Sequence, residues 1–422
     1  MGVRNLNRFI QHKCPDAASR IHLRDLSGKR VAVDVSIYMY RYSGEGALLE
    51  NMYLMASVFR HYNIHAVFVF DGPPPPQKTE IIEMRKRKKD AAKKQYDVLD
   101  KLSKRRRDAH APDCEMTTTE LDDIEETMRE LKKQFVRLRD CDISDVKELL
   151  VSFGFAIVDA EGEADALCAK LSLKKRVDAC ISDDTDMFVY GCPIVLRNLS
   201  LLNHSVVSYS MAEILKTLSL TQQEFKMMCV VSGTDYTSST TASAASAEPS
   251  TYMPPDAVFK KLIQFKRLTE KEAKIYHESG GGFYDWYTEQ QQKITGAMAN
   301  SSTITYISNE SMFDATSSSS LHSSANNQYK QLVILNRSDI HRKRIIEIMM
   351  KEDFIFIQTS PSDDAIIESL SSGNGSLSSS PIYGVEQSPD KQASHIATEV
   401  YGITVGSFQE LRTAFHKKKS RK

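Results

Sequence analysis

Short apolar runs alternate with helical patterns along the first half of the chain. Residues 29–40 predict a buried strand that continues into a helix, and 65–70 predict a second strand. Further strands are predicted at 155–159, 177–182 and 193–197, with helices at 48–62, 163–174, 213–218 and 222–231. Strands that alternate with helices indicate an α/β fold with a central, mainly parallel, twisted sheet flanked by helices.

Residues 78–150 form a strongly charged segment between the second and third predicted strands. Lys78 to Arg107 contain 13 Lys and Arg against 5 Asp and Glu, whereas Asp113 to Glu130 contain 8 acids and one Arg. The pattern predicts charged helices, interrupted near 110–119 and inserted into the α/β core. A basic block of this kind is a candidate phosphate-binding surface, although a solvated helix face has the same composition.

The second half of the chain contains three Ser-rich stretches, at 237–250, 317–324 and 359–393. They hold too few apolar residues to form a core, so we predict that they are disordered. Ordered pieces are expected between them, at 256–275 and 329–358. The predicted division is an N-terminal part of the core, a helical insertion, an internal part of the core and a poorly defined C-terminal region, at 1–77, 78–150, 151–275 and 276–422.

Composition narrows the class of protein further. The chain has 422 residues and a formal net charge of zero, so its total charge does not indicate nucleic-acid binding. The seven cysteines form no Cys-x-x-Cys pair, which argues against a zinc site or a disulfide framework. The sequence shows neither an N-terminal signal core nor a run of roughly 18 apolar residues, so we expect no secretion and no membrane association.

Acidic residues recur where predicted strands end. Val31–Asp34, Val67–Asp71 and Cys180–Asp184 each finish an apolar strand with a carboxylate. In an open parallel sheet the carboxyl ends of the strands face one crevice, so these side chains should converge. Grouped carboxylates repel one another unless cations lie between them, and divalent ions such as Mg²⁺ suit oxygen ligands. Two such ions about 3.5–4 Å apart can hydrolyse phosphodiesters, which indicates a metal-dependent nuclease.

Two closely spaced acidic pairs strengthen this interpretation. A single Asp after a strand is usually a turn residue or a helix cap. Glu163-Ala-Asp165 opens a predicted helix, however, and Asp184-Thr-Asp186 follows a strand, so the members of each pair can line one concave site. Asp235 adds a carboxylate at the end of a further predicted helix. The neighbouring acids Glu161 and Asp183 are expected to face solvent instead.

Six segments of the chain, taken in order, resemble the flap endonuclease family of structure-specific 5′ nucleases, which includes the XPG-type enzymes. They are Met1-Gly2-Val, VAVDVSIYMY at 31–40, VFVFDGPPP at 67–75, DAEGEADALCAKL at 159–171, ISDDTDMFVYG at 181–191 and VVSGTDY at 230–236. The resemblance implies a PIN-like 5′ nuclease core. It also implies that the charged helices of 78–150 form an arch through which a 5′ single-stranded flap threads.

The same resemblance implies that seven carboxylates hold two metal ions. The first ion would be bound by Asp34, Asp71, Glu163 and Asp165. The second would be bound by Asp184, Asp186 and Asp235, with Glu163 near both. Mg²⁺ is the expected ion, with Mn²⁺ as a substitute. In the family, metal-activated water attacks the scissile phosphorus and leaves a 5′-phosphate, so no His or Cys nucleophile is needed.

Four further residues match family positions close to the substrate. Lys78 and Arg85 share one face if 78–90 is helical, and the resemblance makes them catalytic, because they would stabilise charge at the scissile phosphate. Tyr40 would stack on the base next to the cleavage point, although a Tyr in an apolar helix is more often a core residue. Gly2 is the small residue that lets the N-terminus lie close to the active site.

The sequence departs from the family after Asp235. Family members carry a Gly-rich hairpin there, which opens a helix-two-turn-helix module that grips duplex DNA and commonly binds potassium. Residues 237–250 contain no glycine, so the sequence predicts neither duplex binding nor a potassium site for this region. A clamp-like motif at 409–416 has Arg412 at its aliphatic position, so we expect no sliding-clamp binding. The basic tail at 417–422 fits a nuclear localisation signal, a nucleic-acid patch or a plain solvated tail.

The sequence therefore predicts a Mg²⁺-dependent 5′ flap endonuclease with 5′→3′ exonuclease activity on branched or flapped DNA, active in replication, repair or recombination. We expect a divergent, viral member of the family that is monomeric and intracellular, in the nucleus or at a site of DNA replication. Two alternatives stay open. One is a 5′→3′ exoribonuclease with a related core, and the other is a non-catalytic DNA-binding scaffold.

Overall fold

The computed structural model describes residues 2–108, 118–235, 253–278, 281–295, 303–314, 340–350, 356–357 and 404–405. Several sequence predictions concern other parts of the chain. The glycine-free stretch 237–250, the Ser-rich stretches 317–324 and 359–393, the clamp-like motif 409–416 and the basic tail 417–422 lie outside the described residues. Most of the predicted helix break near 110–119 lies outside them as well.

A seven-stranded sheet forms the centre of the protein. In chain order its strands are β1 (Ala18–His22), β2 (Arg30–Asp34), β3 (His65–Phe70), β4 (Ala156–Asp159), β5 (Ala179–Ile181), β6 (Ile194–Ser200) and β7 (Ser205–Ser210). Their spatial order is β1-β7-β6-β5-β2-β3-β4, and the five strands from β6 to β4 are parallel. β7 and β1 extend one edge in antiparallel pairing. The prediction of an α/β fold with a mainly parallel sheet is confirmed.

Helices flank this sheet. The first seven are α1 (Leu6–Lys13), α2 (Val35–Glu45), α3 (Leu48–His61), α4 (Thr79–Asp108), α5 (Thr118–Gln134), α6 (Asp140–Ser152) and α7 (Ala164–Leu173). The next eight are α8 (Asp186–Val189), α9 (Met211–Leu218), α10 (Gln222–Ser232), α11 (Pro255–Lys266), α12 (Glu270–Glu278), α13 (Phe283–Thr295), α14 (Thr303–Ser311) and α15 (Arg342–Met350). A separate two-stranded sheet pairs β8 (Phe356–Ile357) with β9 (Thr404–Val405).

The core lies on both faces of the central sheet. Because successive strand residues point to opposite faces, Val31 and Val33 of β2 join one apolar cluster, with residues of α2, α3 and α6. Ala32 joins the other cluster, with residues of α1, α7 and α10. Strands buried on both faces need apolar residues at every position, which explains the continuous apolar runs that predict them.

The sequence prediction missed α1, the edge strand β1 and its antiparallel neighbour β7. Both strands are only partly buried and mix polar with apolar residues, as in the sequence ASRIH of β1. A strand of an antiparallel pair can keep one face hydrated, so its apolar signal is weaker than that of a parallel strand buried on both faces. The two strands change the edge of the sheet and leave its parallel centre as predicted.

The charged insertion contains two long helices, α4 and α5, which pack on each other. The rings of Tyr96 and Phe135 meet edge to face, with their centroids 5.4 Å apart. Lys78 does not lie inside a helix that starts at 78, since it ends a short 3-10 turn at Pro76–Lys78. The prolines before it lack the backbone N–H groups that a longer helix uses, so α4 begins only at Thr79.

Helix α15, from the far half of the sequence, packs against α6. Its residues Ile345, Ile348 and Met349 are at most 1% exposed and belong to the same apolar cluster as Val146. The backbone N–H of His341 donates a hydrogen bond of 2.9 Å to the Ser152 carbonyl. Within the described part of the chain, no helix has the length and apolarity that a membrane span requires.

Candidate metal centre

Three acidic residues lie at the carboxyl ends of adjacent parallel strands. Asp34 is the last residue of β2, and Asp71 directly follows β3. Asp184 comes shortly after β5, which pairs with β2 on its other side. Because the three strands run in the same direction, their ends meet at one edge of the sheet and bring the three carboxylates together.

Helix ends supply the other four carboxylates. Glu163 is the residue before α7, and Asp165 lies in the first turn of that helix. Asp186 is the first residue of α8. Asp235 follows the end of α10, beyond Gly233, whose φ of 95° lies in the region that favours glycine. Carboxylates near helix N-termini are stabilised by the helix dipole, which favours acidic residues at the starts of α7 and α8.

Asp165, Asp184 and Asp186 form the tightest group. One carboxylate oxygen from each lies within 4.8 Å of the others. The three residues are only 8%, 8% and 1% exposed. The Oδ1 atom of Asp186 is buried and has no hydrogen-bond partner among the described residues. Burying a carboxylate oxygen without a partner is costly, so this atom indicates that a cation belongs in the cluster.

Burial and mutual repulsion raise the pKa values of these carboxyl groups. Burial, with the charges of neighbouring carboxylates, raises the pKa of Asp165 to about 8. The same causes, burial first, raise the pKa values of Asp34 and Asp186 well above their ordinary range. Burial also raises the pKa of Asp184. A bound cation reverses this preference, because it favours the ionised form of every carboxylate around it.

Hydrogen bonds fix several of these side chains. The Ser182 hydroxyl donates to Asp34 Oδ2 at 3.0 Å and accepts from the backbone N–H of Asp184 at 3.1 Å. The backbone N–H of Asp186 donates to Asp184 Oδ1 at 3.0 Å. Asp71 is held across the cleft, since its Oδ1 accepts a 2.8 Å hydrogen bond from the backbone N–H at the start of α7.

Two basic residues face the carboxylates across a cleft of about 670 Å³. Lys78 Nζ lies 2.6 Å from Glu163 Oε1, and the lysine side chain is only 8% exposed. Burial lowers the pKa of Lys78, but the charges of Glu163 and Asp165 outweigh it and leave the pKa raised, so the ammonium stays protonated. Arg85 Nη2 lies 2.5 Å from Asp235 Oδ2, and 45% of the arginine side chain is exposed.

Tyr40 and Gly2 both lie close to the carboxylate group. Tyr40 lines the cleft, is 47% exposed and has the ammonium of Lys89 5.0 Å from its ring centroid. Gly2 has a φ of 75°, and a Cβ atom there would collide with carboxylate oxygens of Asp184 and Asp186. A larger residue at position 2 therefore cannot fit without displacing the acidic cluster.

The structure brings the predicted site residues together. Lys78, Arg85, Tyr40 and six of the seven carboxylates line the cleft, whereas Asp186 lies buried against Asp184 and Gly2. Glu161 is exposed, as predicted. The expectation that Asp183 faces solvent was wrong, because its side chain is 15% exposed and forms an ion pair with Arg41. Ser182 was missed as well, because its bond to Asp34 joins residues far apart in the sequence.

The donor set suits hard divalent cations. Each of the seven candidate ligands offers carboxylate oxygens, and neither a Cys nor a His lines the described cleft. Thiolate and imidazole ligands favour zinc and other softer metals, whereas carboxylates favour Mg²⁺, Ca²⁺ and Mn²⁺. The unpartnered oxygen of Asp186 and the raised carboxyl pKa values agree with this choice of cation. The residues present therefore fit the metal ions that the sequence predicts.

Two family models match the segments that build this site. The XPG N-terminal domain matches residues 1–92, and the XPG I-region matches residues 154–235. The first match contains Asp34, Asp71, Lys78 and Arg85. The second contains the other five carboxylate residues, from Glu163 to Asp235. The segment between the two matches, residues 93–153, contains the second half of α4 together with α5 and α6.

Curated protein sequences that are similar to this chain agree with the family models. Flap endonuclease 1 of Meyerozyma guilliermondii is 30% identical over 256 residues, which cover 56% of this chain and 63% of the relative. Flap endonuclease 1 of Leishmania major is 28% identical over 260 residues, covering 56% of this chain and 60% of the relative. The matched part thus spans about three fifths of the length of these curated relatives.

The catalytic core of Rad2 in complex with DNA substrate is a solved structure with 19% sequence identity and a TM-score of 0.45. The match covers 95% of each chain. This structural similarity is weak, and the similarity to known proteins rests on the two family models and the sequence relatives. Residues 1–92 and 154–235 are therefore similar to the XPG N-terminal domain and the XPG I-region, and the chain is similar to flap endonuclease 1 over 56% of its length.

Proposed function

We propose that this protein is a metal-dependent, structure-specific 5′ nuclease that cuts branched or flapped DNA and has 5′→3′ exonuclease activity. The observation that carries the proposal is the cleft in which a buried carboxylate cluster faces Lys78 and Arg85. The names of the relatives, flap endonuclease 1, support the class of substrate. Replication, repair and recombination are the processes in which such substrates arise.

The proposed metal ligands form two sets. One ion would be held by Asp34, Asp71, Glu163 and Asp165, and the other by Asp184, Asp186 and Asp235. Mg²⁺ is the proposed ion, and Mn²⁺ should substitute for it. When bound, the ions would lower the pKa of the attacking water and stabilise charge on the leaving oxygen, so that the product carries a 5′-phosphate.

The basic residues have roles of their own. Lys78 and Arg85 place two positive charges opposite the acidic cluster, where a phosphodiester entering the cleft would lie between them. Their ion pairs with Glu163 and Asp235 hold both side chains in position before substrate arrives. Positive charges that are already oriented can stabilise a phosphorane-like transition state without further reorganisation, which is an efficient form of catalysis.

Other parts of the cleft fit the handling of a DNA strand. Tyr40 presents an exposed ring on which the base next to the cut can stack. Gly2 leaves room for the N-terminus beside the metal site. Helices α4 and α5 would form the arch over a 5′ flap. The arch would be residues 78–150, between the two parts of the nuclease core at 1–77 and 151–275, with a C-terminal region at 276–422. We also propose a monomeric, intracellular protein that acts in the nucleus or at a site of DNA replication, without a sliding clamp.

A substrate comparison tests this proposal. A 5′-flap duplex, a blunt duplex and a 5′-phosphorylated RNA strand are incubated with the protein and Mg²⁺ or EDTA. Cleavage near the flap junction, present with Mg²⁺ and absent with EDTA, is the expected result. Preferential digestion of RNA would identify an exoribonuclease instead. Binding to flap DNA without any product would identify a non-catalytic scaffold.

A further inference from the structure

Asp183 directly precedes Asp184 and is held from two sides. Its carboxylate forms an ion pair with Arg41 of α2 and accepts a 2.7 Å hydrogen bond from the backbone N–H of Asn198. Its backbone carbonyl oxygen accepts a 2.5 Å hydrogen bond from Arg197 Nη2. The side chain and the backbone of one residue are thus both attached to neighbouring elements of the fold.

Arg197 is a buried anchor in strand β6. It is only 7% exposed, and its Nη1 donates a 2.9 Å hydrogen bond to Asn7 Oδ1 in α1. Its guanidinium carbon lies 5.7 Å from the centroid of the Phe188 ring in α8. Burial lowers the pKa of Arg197, yet an arginine keeps its charge at any ordinary pH. The side chain therefore ties the Asp183 backbone to β6, α1 and α8 at once.

This attachment lies within the loop that carries two proposed metal ligands. The loop from Ser182 to Asp186 joins β5 to α8, and its own hydrogen bonds run from Ser182 to Asp184 and from Asp184 to Asp186. These short-range bonds fix the loop residues relative to one another. Ser182 attaches the start of the loop to β6, since its backbone N–H donates a 3.1 Å hydrogen bond to the Leu196 carbonyl. The contacts of Asp183 attach the next residue of the loop to β6 and to α2.

Burying the charged side chain of Arg197 costs folding free energy, so its presence in the core points to a role beyond stability. Desolvation of a buried charge can exceed what its ion pairs return, and apolar residues of similar volume often stabilise a fold as well or better. The Nε atom of Arg197 adds to this cost, since it is buried without a hydrogen-bond partner among the described residues. Residues behind a metal site commonly orient the ligands, and their loss lowers metal affinity or activity about 10–100-fold.

We infer that Arg197, together with Arg41, is a positioning residue for the metal centre. By holding Asp183 from both sides, the two arginines set the orientation in which Asp184 and Asp186 present their oxygens. This inference rests on the proposed function, because it assigns the loop to a metal-dependent reaction. Arg197 itself touches neither the substrate nor the metal ions in this assignment.

A second Arg–Asp pair in the same sheet supplies the matched control. Arg30 begins strand β2, and its Nη2 lies 2.9 Å from Asp178 Oδ1, while its backbone N–H donates to Asp178 Oδ2 at 2.8 Å. The pair lies at the amino end of β2, whereas Asp34 lies at the carboxyl end, about 13 Å away for four steps of a strand. Arg30 is about as exposed as Arg41, at 44% against 39%, so its loss removes an ion pair like that of Arg41 without loosening the loop.

The test compares Arg197→Met with Arg30→Met. Methionine keeps an unbranched side chain that suits a buried site, but it cannot donate to Asp183 or Asn7. For each protein we would measure the Mg²⁺ concentration that gives half-maximal flap cleavage, and the rise in Tm that Mg²⁺ causes without DNA. Arg197→Met should raise the half-maximal concentration about 10–100-fold and reduce the Tm rise. Arg30→Met should leave both quantities unchanged.

Each outcome has a defined meaning. If wild-type protein shows no Mg²⁺-dependent cleavage, the proposed function fails whatever the variants do. If wild type cleaves, and a folded Arg197→Met protein keeps the wild-type Mg²⁺ response, the positioning role is overturned. Should Arg197→Met fail to fold by circular dichroism, Arg41→Met and Asp183→Asn provide the same test from the other side of the loop. A several-fold weaker Mg²⁺ response supports the inference, and an unchanged response contradicts it.

Discussion

Replacing Asp165 by Asn should stabilise the metal-free protein at pH 7, even though it removes a proposed metal ligand. Asp165 is 8% exposed, and burial beside other carboxylates raises its pKa to about 8 from an ordinary 3.8. Asn has the same shape and carries no charge. Its Oδ1 can still accept the 2.6 Å hydrogen bond that the backbone N–H of Ala166 donates to Asp165.

The magnitude follows from the pKa difference. Between pH 3.8 and pH 7 the Asp165 carboxyl group is ionised in the unfolded chain but protonated in the folded protein. Over this range the free energy of unfolding falls by about 1.4 kcal/mol per pH unit. The metal-free fold is therefore penalised by up to about 4 kcal/mol at pH 7, an upper limit because neighbouring carboxylates share the proton. The penalty grows as pH rises from about 4 and is complete near pH 8, so metal-free wild type should lose stability across this range.

The assay is thermal or urea unfolding of wild type and Asp165→Asn, with EDTA and then with Mg²⁺. With EDTA the variant should be the more stable protein at pH 7 and should show a flatter pH profile. Saturating Mg²⁺ should stabilise wild type, by about 2.7 kcal/mol at 100 times the dissociation constant. The variant should gain less, because one ligand is gone. Asp178→Asn is the control of opposite sign, since its hydrogen bond with Arg30 lowers the pKa of Asp178.

Two results, taken together, would show that the charge of Asp165 does not destabilise the metal-free fold. The first is a metal-free Asp165→Asn protein that is less stable than wild type at pH 7. The second is an equal response of both proteins to Mg²⁺. That combination would mean that Asp165 is a structural side chain whose charge is already balanced within the fold.

Three further predictions concern the cleft. Lys78→Ala or Arg85→Ala should slow single-turnover cleavage about 10²–10³-fold with little change in DNA affinity, because each removes positive charge at the phosphate. Equal rates in variant and wild type would mean that the two residues are solvated surface residues without a catalytic role. Tyr40→Ala should weaken flap binding by about 1–3 kcal/mol while Tyr40→Phe should not, and equal affinities would exclude base stacking. Gly2→Ala should abolish Mg²⁺-dependent cleavage, since its Cβ collides with the acidic cluster, and full activity would place the N-terminus elsewhere.

The central strands and most carboxylates could be predicted from the sequence. Buried parallel strands require continuous apolar runs, and the acids at their ends follow from the direction of the chain. Pairs such as Glu163-Ala-Asp165 combine a helix start with two carboxylates, so local sequence indicates both the element and its chemistry. Their convergence then depends only on which strands are neighbours, and the α/β pattern restricts that strongly.

The contacts between distant residues could not be predicted in this way. The expectation for Asp183 failed because its partners, Arg41 and Arg197, lie on elements that only the folded sheet brings near it. An exposed acid and an acid paired across the fold have the same local sequence signal. Strands β1 and β7 were missed for a related reason, since these partly buried strands owe their form to pairing with each other more than to their own apolar pattern.

Metal-dependent flap cleavage is best measured on a 5′-labelled single-flap duplex with wild type, Asp184→Asn and Asp178→Asn. Mg²⁺ and EDTA are compared for each protein, and DNA binding is measured in parallel. We expect Mg²⁺-dependent cutting near the flap junction by wild type and Asp178→Asn, with binding but no cutting by Asp184→Asn. Cutting by Asp184→Asn at the wild-type rate, or cutting by wild type in EDTA, would contradict this expectation.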